Sequence, residues 1–255
     1  MKTTLSGCST IDNMLNGGFR SSHITEVYGD EGTGMTQLCL QMMLAAQLSP
    51  SMGGLGSASV YIQSIGEFPS GRINDMIPLV FGSTTPKDRH PLEKILVKKV
   101  ESPQDLVGTV QWLEIFLQSE IGKKGNYQVV VIDSISSICR FHFTNTRESM
   151  MERTAILIVV SNGLRSLANK YDLVIVAVNN VVEVSQTDYE GSSNMIMSNG
   201  RKVKPALGRM WYNNICTRIF MSKNFNSNSE VSERTMLLLS SPISDVNACN
   251  LVRLV

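Results

Sequence analysis

The chain has 255 residues, of which 42% are hydrophobic, 18% charged and 6% aromatic, and its 23 basic side chains nearly cancel its 22 acidic ones. That is apolar material enough for a full-sized core and excludes a wholly disordered chain. Apolar runs stop at six residues, as in Ala155 to Val160, far short of the ~20 a membrane helix needs, and a net charge of +1 offers no bulk attraction to nucleic acid.

In chain order, the opening Met1-Lys2-Thr3-Thr4-Leu5 lacks the apolar stretch of a signal peptide, so secretion is not expected. His23 to Tyr28 is short and β-branched, and a glycine-rich turn follows it, which predicts a buried strand. Leu38, Met42, Ala45 and Ala46 recur at helical spacing over Thr36 to Leu48, before Pro50 ends the run. Ser59 to Ser64 and Lys94 to Val100 read as strands, and Pro103 to Ser119 as a helix with proline in its opening turn. Tyr127 to Ile132 is an apolar strand ending at Asp133, with the pattern of burial on both faces. A long helix is predicted over Ser149 to Tyr171, then a fully apolar strand over Leu173 to Val178. Ser185 to Asn199 is polar and reads as a mobile loop. Three strand-like segments follow, Ile215 to Ser222, Thr235 to Leu239 and Asn250 to Val255, with turn material at Asn224 to Ser229. Strand–helix alternation predicts an α/β fold, a mostly parallel central sheet flanked by helices with a C-terminal antiparallel extension, and the absence of a linker predicts one domain over residues 1–255. The five cysteines (Cys8, Cys39, Cys139, Cys216, Cys249) are never spaced as CxxC and read as buried reduced thiols, with neither zinc nor a disulfide framework.

Between the first predicted strand and helix lies Gly29-Asp30-Glu31-Gly32-Thr33-Gly34-Met35-Thr36. One position apart, it is the phosphate-binding pattern GxxxxGK[ST]. Glycines let the backbone curl so that amides and the helix N-terminus face phosphate oxygens, and Thr36 would give its hydroxyl to Mg²⁺. Met35 stands where the pattern has lysine, and so brings neither charge nor donor. A charge-assisted contact of that type contributes about 1.5–3 kcal/mol, so its loss weakens nucleotide binding roughly tenfold or more, and phosphoryl transfer more still. The octet alone is equally compatible with a plain strand-to-helix turn. The strand ending in Asp133, 97 residues after Thr36, supplies the second half of a nucleotide site, a carboxylate beside Mg²⁺.

With these motifs the sequence resembles the ATPase core of the eukaryotic RecA-like recombinases, specifically their non-filament paralogs in homologous recombination. The likeness runs through Leu5-Ser6-Gly7 with Gly17-Gly18, Ile24-Thr25-Glu26, Thr36-Gln37-Leu38, Gly53-Gly54-Leu55, Tyr61-Ile62, Val131-Ile132-Asp133-Ser134, and Pro205-Ala206-Leu207-Gly208 with Trp211 and Arg218. It looks most like the X-ray-repair cross-complementing branch, third member, including the fungal mediator and fly spindle-B types. The resemblance implies a RecA-like core holding ATP and Mg²⁺ through Gly29, Gly32, Thr33, Gly34, Met35, Thr36, Gln37, Arg72, Asp133 and Asn180, with Thr36 and Asp133 as metal ligands and Arg72 stacked on adenine. Ile65 occupies the family's catalytic glutamate position, and Glu67 would need a backbone shift along a continued strand to replace it. Asn180 stands one methylene short of the family's γ-phosphate-sensing glutamine. With lysine, glutamate and glutamine all altered, the resemblance implies a degenerate ATPase with weak or no turnover.

Bulk charge hides an asymmetry. Between Gly191 and Ser229 there are six basic residues (Arg201, Lys202, Lys204, Arg209, Arg218, Lys223) and no acidic one, leaving 17 basic against 22 acidic elsewhere. Such a segment suits phosphate contact. In the family it is the second DNA loop, with Arg201, Lys202 and Lys204 at its end. The first DNA loop corresponds to Cys139 to Arg147, where Arg140, Phe143 and Arg147 match family positions and combine cations with a base-stacking ring. The alternative is that Phe141 and Phe143 are core and the arginines merely solvated.

Starting four residues before Leu5, the chain is expected to lack the family's N-terminal helical domain and its Phe-x-x-Ala polymerisation motif. The resemblance then implies a second recombinase paralog as partner, action on single-stranded or branched DNA beside the recombinase filament, and a nuclear or partly cytoplasmic location, in mitotic or meiotic repair. Two alternatives stand beside this accessory role: a DNA-dependent ATPase rescued by Glu67 or a partner, and a purely structural subunit.

Overall fold

The computed structural model describes residues 1–84, 89–184, 195–223, 234–244, 246 and 249–252. In chain order the elements are β1 (Thr3–Thr4), α1 (Ser9–Met14), β2 (Phe19–Arg20), β3 (His23–Gly29), α2 (Met35–Ala45), β4 (Ala58–Gln63), α3 (Ser70–Phe81), β5 (Ile95–Lys99), α4 (Pro103–Gln118), α5 (Glu120–Gly125), β6 (Tyr127–Asp133), α6 (Ile135–His142) and α7 (Arg147–Tyr171). There follow β7 (Val174–Glu183), β8 (Ile196–Ser198), β9 (Arg201–Pro205), α8 (Gly208–Tyr212), β10 (Thr217–Lys223), β11 (Arg234–Ser240) and β12 (Cys249–Val252).

One ten-stranded sheet runs β12-β11-β10-β3-β7-β6-β4-β5, with the β8–β9 hairpin attached to the far end of β7. From β10 to β5 every neighbour is parallel; β11 and β12 add antiparallel strands at one edge. The period of two divides the central strands between two cores. Val129, Val131, Val174, Val176 and Val178 pack with α2 and α3, while Val130, Ile132, Ile175 and Ala177 pack with α4 and α7. On α7 the buried positions Leu157, Val160, Ser161, Leu164, Leu167 and Ala168 form a stripe at helical spacing, which turns a 25-residue helix along the sheet. Caps set the helix starts: Ser102 accepts from Asp105 N at 3.0 Å before α4, and Thr146 from Ser149 N at 3.3 Å before α7. No helix among the described residues is long and apolar enough to cross a membrane.

The expected α/β architecture with its antiparallel extension is the observed one. Three features differ. The polar stretch predicted as a mobile loop has its last residues in β8, where Ser198 is buried; 185–194 lie outside the described residues, as do the turn at 224–229 and the chain end at 253–255. The helix α6 begins directly after the Asp133 strand and takes in Cys139–His142 of the segment read as the first DNA loop; Ser134 caps it by accepting from Ser137 N at 3.4 Å. Of the cysteines, Cys39 and Cys139 are buried, but Cys8 and Cys216 are part-exposed.

Candidate nucleotide site

Parallel pairing of β3 with β7 and of β7 with β6 brings the carboxyl ends of all three strands side by side, where α/β sheets hold their ligands. The phosphate loop leaves β3 there. Gly29 lies so close to β10 that a Cβ would stand 2.2 Å from the Met221 carbonyl oxygen, so only glycine fits. Gly32 (φ +77°) and Gly34 (φ +99°) adopt the left-handed backbone that curls the loop. Thr33 Oγ1 donates to the Asp30 carbonyl at 2.8 Å, which holds that curl.

A cavity of about 720 Å³ opens over the loop and the start of α2, large enough for a nucleotide. Thr36 and Asp133, far apart in sequence, meet in it: Thr36 Oγ1 donates to Asp133 Oδ2 at 2.6 Å. Tyr61 donates its hydroxyl to the same oxygen at 2.8 Å, a partner with no local sequence signal. A hydroxyl and a carboxylate in contact at the mouth of a curled amide loop fit Mg²⁺ and a phosphate chain, and Thr36 and Asp133 would hold the ion. Bound Mg²⁺ would neutralise phosphate charge and bridge it to the protein. Met35, only 6% exposed, packs with the core on the α2–α3 side of the sheet and also lines the cavity, to which it brings no charge.

Burial pushes the Asp133 carboxyl above its usual range, opposed by the donors on Thr36 and Tyr61. Burial, then the Asp133 charge, pushes the Tyr61 phenol well up, so it stays a donor. A carboxyl whose folded value is raised favours the folded state as pH falls through that value and costs stability above it. Asp133→Asn, whose amide oxygen still accepts both hydrogen bonds, is therefore expected to raise the melting temperature at neutral pH while abolishing Mg²⁺-dependent nucleotide binding. Below the ordinary carboxyl value of 3.8 the gain should vanish. Melting curves across pH test this, and a lower neutral-pH melting temperature for the variant would refute it.

Arg72 and Asn180 line the same cavity. Arg72 Nε donates to Gln37 Oε1 at 2.8 Å, which ties the start of α3 to α2. Asn180 takes a hydrogen bond from Ala206 N on its carbonyl, donates its own N–H to Ser136 Oγ at 2.9 Å, and reaches Glu31 Oε1 at 3.5 Å with its side chain. Glu67 does not sit on a continued strand. Instead, β4 ends at Gln63, the chain turns at Gly66 (φ +71°), and Gln63 Nε2 donates to the Gly66 carbonyl. Ile65, 55% exposed, and Glu67 both reach the cavity wall by this turn.

The cations assigned to nucleic acid are partly engaged. Arg201 spans two carboxylates, Asp30 Oδ1 at 2.9 Å and Glu183 Oε1 at 3.0 Å, and Ser198 also donates to Asp30. Arg140, at the end of α6, stands 4.0 Å from Glu31, so the acidic residues of the phosphate loop face both predicted DNA segments. Lys202 is exposed and Lys204 part-exposed on β9, and Arg147 is exposed at the start of α7. Phe143 packs partly against the core, whereas Phe141 is 72% exposed. Arg218 departs from the charge count: it is 3% exposed, inside the sheet, with Nε donating to Glu26 Oε2 at 2.6 Å. Trp211 Nε1 (2.9 Å) and Asn179 Nδ2 (2.7 Å) donate to the other oxygen of Glu26. The Glu26, Trp211 and Arg218 of the sequence resemblance thus form one buried cluster, a feature of packing and not of ligand contact. Arg234, unremarked in the sequence, reaches the phosphate loop from β11.

Residues 1–247 match the Rad51 family model. The chain is 31% identical over 233 residues to the DNA repair protein XRCC3 homolog of Arabidopsis thaliana, covering 87% of this chain and 76% of that protein. It is 27% identical over 250 residues to DNA repair protein XRCC3 of Bos taurus, covering 96% and 70%. To DNA repair protein RAD57 of Saccharomyces cerevisiae it is 33% identical over 178 residues, covering 67% and 36%. With the phosphate loop, the Asp133 strand and the parallel sheet in place, the chain belongs to the Rad51 family of RecA-like recombination proteins, among its XRCC3-type paralogs.

Proposed function

We propose that this chain is an accessory protein of homologous recombination. In complex with a second recombinase paralog it binds single-stranded or branched DNA and assists assembly of the recombinase filament, in the nucleus. Its own nucleotide site binds Mg²⁺–ATP weakly and turns it over slowly or not at all. The observation that carries this reading is one pocket with two halves in different condition. The Thr36–Asp133 pair needed to hold Mg²⁺ is in contact at 2.6 Å, while Met35 and Ile65 replace the charged groups that phosphoryl transfer needs. The similarity to DNA repair proteins of plants, mammals and yeast supports the cellular role.

The exposed face of β9 and the end of α6 supply the DNA surface. Replacing Arg201, Lys202 and Lys204 together by glutamine is expected to weaken binding of the complex to a single-stranded oligonucleotide. The plot of log affinity against log salt should flatten by about 0.7 for each phosphate that the variant no longer neutralises. An unchanged affinity and an unchanged slope would sink this surface as the DNA site.

A further inference from the structure

The cavity wall is acidic where a phosphate chain would lie. Glu31, Glu67 and Asp133 line it, and where a lysine would offset them the lining residue is the uncharged Met35. Two described cations line the same wall, Arg72 and Arg234. Arg72 is tied to Gln37 at the α2–α3 side. Arg234 comes from the opposite side. It opens β11, whose partner β10 lies against β3, and Lys223 of β10 pairs directly with it. From there its side chain reaches the phosphate loop: Nε donates to the Thr33 carbonyl at 2.8 Å, and a terminal nitrogen approaches the Gly32 carbonyl at 3.5 Å.

These contacts bear on a phosphate in two ways. A loop that turns its amides toward an anion must turn carbonyls elsewhere, and a guanidinium on two successive carbonyls stabilises that curl. The same guanidinium sets a permanent positive charge against the loop in a partly desolvated cavity, where it attracts phosphate more strongly than it would in open water.

Resting on the nucleotide reading above, we propose that Arg234 is the cation of the phosphate site, taking over from the far edge of the sheet the electrostatic role that Met35 cannot fill. It clamps the loop and sets the affinity of this chain for di- and triphosphates over the bare nucleoside.

The test is equilibrium titration of the full chain with Mg²⁺–ATP, Mg²⁺–ADP and adenosine. Arg234→Gln is expected to weaken ATP and ADP by roughly tenfold or more, the value of one charge-assisted contact, and to leave adenosine unchanged. Arg234→Lys should keep most of the affinity. Adding Met35→Lys to Arg234→Gln should restore it, because the charge returns from the other wall; thermal melting of each variant confirms that it is folded. If Arg234→Gln binds ATP as the parent does, or loses ATP and adenosine equally, Arg234 has no electrostatic role and the proposal is overturned. If the parent itself binds none of the three ligands at millimolar concentration, the nucleotide reading falls instead, and with it this inference.

Discussion

Arg218→Met is expected to destabilise the protein by about 3–5 kcal/mol, the cost of leaving a buried carboxylate without its ion partner. Glu26 is fully buried on β3 and has no route to solvent. Its oxygens are fully subscribed, Oε2 by Arg218 and Oε1 by Trp211 and Asn179. Arg218 is further enclosed by two rings, its guanidinium carbon 4.3 Å from the Tyr212 ring centre and 5.3 Å from that of Tyr28. Methionine fills much of the volume and keeps the aliphatic contacts, but it strands the Glu26 charge. For a chain of this size the loss corresponds to roughly 10 °C in melting temperature. Arg218→Met with Glu26→Met should recover much of the stability, since apolar replacement of both members of a buried pair is often neutral or better. Urea unfolding of the single and double variants checks this. A single variant within about 1 kcal/mol of the parent would mean that the pair is not closed to water.

The second large effect is at Gly29. There a methyl group would collide with the Met221 backbone carbonyl at 2.2 Å and come within 3.2 Å of Thr33 Oγ1. Backbone cannot swing aside as a side chain does, so Gly29→Ala must part β3 from β10. Overpacking of this kind costs about 1–3 kcal/mol, and more where two strands must separate. The displaced strand end carries the phosphate loop, so nucleotide binding should be lost together with stability. Gly32 is the control: at φ +77° with open space where a Cβ would stand, it should accept asparagine with little change in melting. Melting of Gly29→Ala and Gly32→Asn checks the contrast, and equal melting temperatures for the two variants would refute it.

Much of this could be read from the chain because its signals are local. The Tyr127–Asp133 strand announces itself by consecutive apolar residues and a terminal carboxylate. The phosphate loop does so by its glycines between a strand and a helix. Their convergence followed from the parallel sheet that strand–helix alternation requires. What was not legible depends on distant partners. Counting Arg218 among phosphate-seeking cations assumes that charge lies at the surface, yet its partner Glu26 is 192 residues upstream and the two neutralise each other inside the sheet. The polar composition around Ser198 suggested mobility, but that serine is buried through a contact with Asp30, 168 residues away. The path that brings Glu67 to the cavity was not legible either, because a single glycine, Gly66, turns the backbone at a point where periodicity carries no information. Arg234 follows a polar stretch in the sequence, and only the pairing of β10 with β11 brings it to the loop.

The bond between Arg201 and Asp30 changes how the DNA binding proposed for β9 should be counted. A phosphate arriving there meets a guanidinium already holding two carboxylates, so binding is an exchange of anions rather than a simple gain. Such an exchange gives less free energy than a contact with an idle cation, and it releases Asp30 as an uncompensated charge at the root of the phosphate loop. A nucleotide approaching that loop then meets added repulsion. By thermodynamic reciprocity, a nucleotide already bound makes Arg201 harder to give up to DNA by the same factor.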